Sequence, residues 1–99
     1  RQAEIAVSKA VNGLNSATAP IVRQMTTLLT QLRNNPPRTE AAAQAINSQI
    51  QALSNQLNVA IDQATNAAGG IARSDQFLAA AALLRIEGIA LVAFGYTIS

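Results

Sequence analysis

Residues 33–38, Arg33-Asn34-Asn35-Pro36-Pro37-Arg38, decide the fold. Proline locks φ, lacks a backbone N–H and disfavours helix in the residue before it, so two in succession end any helix that reaches them. Thr39 then offers an N-cap. Glu40 follows in the first turn of the next segment, where a negative charge complements the helix dipole. On the N-terminal side, Val7, Val11, Leu14, Ile21, Met25, Leu28 and Leu32 recur at steps of three and four, with Thr18 filling the one gap. On the C-terminal side, Ala43, Ile46, Ile50, Leu53, Leu57, Ala60, Ala64 and Ala67 repeat the pattern. A seven-residue apolar period of this kind marks a helix packed along a seam. Helices over about 3–33 and about 40–68, joined by a short stiff turn at 34–38, predict an antiparallel helical hairpin. Each arm would be about 45 Å long at 1.5 Å per residue. Pro20 lies inside the first arm and is expected to kink or split it near residues 17–19.

Gly69-Gly70 ends the second arm, and Ser74 or Asp75 can cap a third helix over about 76–97. This segment differs in kind. Phe77 to Leu84 and Ile89 to Phe94 are uninterrupted apolar runs, and a helix apolar all round is buried on every side or lies in a bilayer. Arg85 and Glu87 sit at its centre, and each would cost about 3 kcal/mol in simple membrane insertion. One hairpin cannot surround such a helix, but neighbouring copies can. The expected fold is therefore all-α, a single domain over 1–99. It consists of an antiparallel helical hairpin with a third, apolar C-terminal helix packed against neighbouring subunits.

Several residues of the third helix are candidates for self-assembly. Ser74, Ala81, Gly88 and Gly95 are each seven apart and make a stripe of small residues, either a groove for close approach of another helix or a by-product of alanine-rich composition. Phe77 and Phe94 bound the apolar run. Arg85 and Glu87 point to different sides of the helix, either toward partners on other copies or at the border between apolar helix and water. The cations suggest phosphate contacts. Arg33 and Arg38 flank the proline turn, where they can grip phosphates or simply be solvated. Arg1, Lys9 and Arg73 gather at the opposite end of a hairpin.

Composition narrows the function classes. Only 12% of the residues are charged, about half the usual share, while 17 are Asn or Gln. A surface so poor in charge expects other protein, or lipid, against much of it. With no cysteine, no histidine and five acids, the chain has few acid–base, nucleophile or metal-ligand options. No enzymatic activity, metal or cofactor is expected. Arg1 at the first position is the start expected of a processed chain or a fragment, without a signal peptide.

Two long helical segments (Val7–Leu32 and Ala43–Ala67), the turn Asn34-Asn35-Pro36-Pro37 and the nearly uncharged helix Phe77–Phe94, in a short, cysteine-free, weakly basic chain, resemble the major capsid proteins of bacilliform archaeal viruses, the clavaviruses. The resemblance is one of architecture and composition over the whole chain. It implies a coat subunit that assembles in many copies into a rigid tube around double-stranded DNA, held by phosphate contacts, in an extracellular virion. A membrane would be met only transiently before assembly. The alternatives from other classes are a secreted lipid-binding or surface-active helical module and a pilus-like filament subunit without nucleic acid.

Overall fold

The computed structural model describes residues 2–98; Arg1 and Ser99 lie outside the described residues. Three long helices account for nearly all of the chain: α1 (Gln2–Asn34), α2 (Glu40–Ala68) and α3 (Asp75–Ile98). A 3₁₀ turn over Gly69–Arg73 links the last two, and there is no strand among the described residues. The all-α fold and the hairpin read from the heptad stripes are both present.

Local chemistry sets each boundary. Asn34 is the last residue of α1, two before the first proline. Thr39, in extended conformation, accepts a hydrogen bond from the Ala42 N–H at 3.1 Å and caps α2. Gly69 stops α2 with φ +60°, a left-handed value that a side chain would strain. Of the two candidate caps for α3 it is Ser74 that serves, its hydroxyl accepting from the Phe77 N–H at 3.4 Å. Asp75 lies in the first turn, where its charge suits the dipole.

Pro20 does not split α1, a split being one of the two outcomes expected from sequence. The ring is exposed, and the missing N–H costs one backbone bond on the solvent side. Leu14 and Thr18 before it, and Met25 and Leu32 after it, are all buried along one seam, and that shared packing keeps the helix continuous past Pro20. Thr18 is buried without penalty because its hydroxyl donates to the Leu14 carbonyl at 2.9 Å.

The molecule is a rod of 55 × 20 × 17 Å with a radius of gyration of 15.8 Å, against about 13 Å for a compact domain of this length. Leu14, Ile50, Leu57, Ile61, Phe77 and Leu91, each at most 1% exposed, form its core. α3 lies against one side of the α1–α2 hairpin, touching both arms but mainly α2. It turns toward them Phe77, Ala81, Leu84, Gly88, Leu91 and Gly95, a strict alternation of four and three. Large and small residues alternate along this seam and bring the backbones close. A Cβ on Gly88 would stand 3.1 Å from Leu57 Cδ2, and one on Gly95 would stand 2.6 Å from Asn47 Oδ1 and 3.2 Å from Ile50 Cδ1.

Gly13 offers the opposite case, with nothing within 4 Å of the position its Cβ would take. Gly88→Leu is therefore expected to destabilise the folded chain by about 1–3 kcal/mol through overpacking against Leu57. Gly13→Ala should stabilise it by about 0.5–1 kcal/mol through helix propensity. Thermal melts followed by circular dichroism check both, and a Gly88→Leu melt no lower than wild type would contradict the seam.

Candidate functional site

Five cations suggested for phosphate contact divide as follows. Arg33 ends α1 and Arg38 follows the two prolines, so both are exposed at the turn end of the rod. Lys9 is exposed on α1 beside Ala67 and Ile71, and Arg73 closes the 3₁₀ turn, so both belong to the other end. Arg1 falls outside the described residues. Arg23 is exposed midway along α1. The described cations are thus dispersed, and no continuous basic track runs along the rod.

The assembly candidates are redistributed. Ala81, Gly88 and Gly95, read from sequence as a groove for another copy, are the seam with α2 inside the chain, and Phe77 is a core residue at 1% exposure. These four are already occupied and are unavailable to a neighbour. Phe94 is half-buried on the flank of α3. Arg85, expected either to seek a partner on another copy or to mark the border with water, reaches Asp62 of α2 at 3.9 Å within the same chain. With these side chains 48% and 72% exposed, the pair is worth no more than about 1 kcal/mol. Glu87 is exposed and makes no ion pair among the described residues.

Two surfaces remain, one on the helix expected from sequence to meet neighbours and one that the sequence does not reveal. The first is the outer face of α3. Leu78, Leu83, Ile86 and Ile89 are each more than half exposed, and Ala79, Ala82, Ala90 and Ala93 lie between them. At 100° per residue these eight share the half of the helix turned away from the hairpin. Arg85 and Glu87, 200° apart, stand at the two borders between the outer face and the buried seam. Arg85 is on the border nearer α2, as its bond to Asp62 requires, so Glu87 is on the border nearer α1. This is the border position that their spacing of two offers from sequence as one of its two alternatives. Contiguous apolar surfaces on small proteins are commonly contact surfaces for protein, lipid or ligand.

The second surface lies on the far side of the hairpin. α1 and α2 leave an open furrow between them there, and no α3 residue lines it. Toward the 3₁₀ turn its walls are small and apolar: Ala6, Gly13, Ala17, Ala60, Ala64 and Ala67. Toward the proline turn they become uncharged amides, among them Gln24, Gln31, Gln49 and Gln56. Its charged lining residues are Lys9 and Arg23, both from α1, and no acid lines it. Among the described residues no three His, Cys, Asp or Glu side chains come together as a metal-binding group.

No protein-family model, curated protein or solved structure matches this chain.

The two faces of α3 make opposite predictions. Leu83→Gln or Ile89→Gln, on the exposed side, should change the stability of a dispersed chain by less than about 0.5 kcal/mol. Leu91→Ala, 1% exposed, should cost about 2–5 kcal/mol. Denaturant titrations of the three variants provide the comparison. Equal costs on both faces would mean that α3 is not oriented as described.

Proposed function

We propose that this chain is the repeating structural subunit of a helical virion coat, assembled in many copies around double-stranded DNA. The observation that carries the reading is the outer face of α3. Leu78, Leu83, Ile86 and Ile89 are held in water by a helix whose other face is already satisfied. Surface area supports it. The chain exposes 6524 Å², about 1,100 Å² more than the roughly 5,400 Å² usual for its mass. One partner's share of a standard protein interface is about 800 Å². Low charge fits as well, since a subunit enclosed by neighbours needs few charges to stay dissolved.

The DNA part of the proposal rests on the architectural resemblance to clavavirus coat proteins and on the placement of Arg33 and Arg38. Both project at the turn end of the rod, so side-by-side rods would bring their turn ends to one surface and repeat the pair along it. Guanidinium groups bind phosphate by forked hydrogen bonds, and each contact releases counterions. With aromatic residues only 3% of the chain, contact with the sugar–phosphate backbone is favoured over base stacking.

A lipid-facing role is the second reading, and one observation favours it. α3 has 24 residues, about 36 Å of helix, long and apolar enough to cross a bilayer. Against it, spanning would carry Arg85 and Glu87 to the bilayer centre or strip the Phe77–Gly95 seam from α2. Sedimentation in detergent-free buffer and flotation with phosphatidylcholine vesicles separate the readings. The coat reading expects large polymers that do not float, and a monomer that floats would overturn it. For the DNA contact, the double variant Arg33→Ala/Arg38→Ala should weaken DNA association equally for all sequences. It should also flatten the slope of log K against log salt by up to about 1.8. An unchanged slope would remove these two arginines from the interface.

A further inference from the structure

We infer that copies of this chain stack back to front, the outer ridge of α3 on one copy seated in the α1–α2 furrow of the next. The inference rests on the self-assembly reading above and specifies its interface. Ridge and furrow lie on opposite sides of the same rod, one convex and apolar, the other concave and walled by alanines and Gly13. Small walls admit a helix closely, and the empty space at the Gly13 Cβ position is room for it.

Charge selects this pairing and its register. The furrow carries Lys9 and Arg23, fourteen residues or about 21 Å apart along α1. The ridge carries Asp75 and Glu87, twelve residues or about 18 Å apart along α3, neither ion-paired among the described residues. α1 and α3 run in the same direction, since each is antiparallel to α2. Their heights correspond through α2. Lys9 lies beside Ala68 and Ile71, at the level where the chain enters α3 at Asp75. Arg23 lies beside Gln56, and Glu87 precedes Gly88, which packs on the adjacent Leu57. A sideways shift with only a few ångströms of slide along the rod thus brings Asp75 within side-chain reach of Lys9 and Glu87 within reach of Arg23. The lateral placement agrees. Asp75 lies near the middle of the ridge and Glu87 on its α1 side, while both furrow cations are on α1. Arg85, on the α2 side, keeps its own Asp62 and comes over uncharged residues such as Gln63 and Val59.

Because ridge and furrow are different surfaces, each added copy exposes a fresh ridge at one end and a fresh furrow at the other. Such contacts propagate into a ring or an open helical stack. Lys9 acquires a protein carboxylate as its partner in place of the phosphate role suggested by sequence.

The test uses charge exchange between two exposed helix positions, which leaves the fold intact. Arg23→Glu and Glu87→Arg should each raise the concentration needed for polymerisation roughly tenfold or more, because like charges then meet at every interface. An equimolar mixture of the two variants should polymerise as wild type does, since each reversed face finds its complement on the other variant. Gly13→Leu should keep its helix content by circular dichroism and remain dispersed, because the added side chain fills the furrow. Sedimentation velocity reads all four samples. If the single variants polymerise normally, or the mixture stays dispersed, this interface is wrong while α3-driven assembly still stands. The interface is equally overturned if only Glu87→Arg has an effect, as in ridge-against-ridge pairing. If wild type itself stays monomeric, the assembly reading falls with it.

Discussion

The close approach of α3 to α2 is the constraint on which the rest depends. Gly88 against Leu57, and Gly95 against Asn47 and Ile50, let an apolar helix lie low on the hairpin with no Cβ between them. Phe77, Leu84 and Leu91 then fill the spaces between the small residues, in the manner of knobs and holes. Two glycines inside a helix each cost about 1 kcal/mol of propensity, and tight packing along a shared seam offsets that cost. Once the seam is fixed, the rotation of α3 is fixed. Arg85 must face Asp62, Glu87 must face the α1 side, and Leu78, Leu83, Ile86 and Ile89 must face outward.

A rod made this way has little interior for its length. Each helix can bury only one stripe against the other two, so the outside of α3 and the open side of the hairpin stay wet. The hairpin arms solve this with amides. Gln24, Gln31, Gln49 and Gln56 keep their surfaces polar at no net charge. α3 has no such solution, and its outer face is as apolar as its inner one. That difference is why the proposed association is placed on α3 and not on the hairpin arms. In the proposed stack the few charges present, at the borders of the faces, would set the register.

Much of the architecture was legible in the chain. The prolines at 36 and 37 dictated a turn wherever the helices packed, because they remove donors and restrict φ irrespective of context. The α1 and α2 stripes were visible because amides and threonines interrupt the apolar residues at a helical period. Thr39 and Gly69 announced their caps by residue type alone. Pro20 was read too severely, since a local rule about one missing bond does not weigh the packing of Leu14, Thr18, Met25 and Leu32 on either side of it.

For α3 the chain settled that a helix exists, and that the hairpin alone cannot cover all of it. It could not settle which side is inward. Periodicity reveals orientation only through contrast between faces, and here the seam (Phe77, Ala81, Leu84, Gly88, Leu91, Gly95) and the outer ridge (Leu78, Leu83, Ile86, Ile89) are equally apolar. The glycine stripe was therefore visible but assigned to the wrong neighbour. Tertiary structure decided it by shape, because the surface of α2 near Asn47, Ile50 and Leu57 accepts a helix only where side chains are missing. The pairing of Arg85 with Asp62, and the furrow that brings Lys9 and Arg23 to one surface, are likewise products of three helices meeting. Spacing within any one helix contains no information about its rotation against the others.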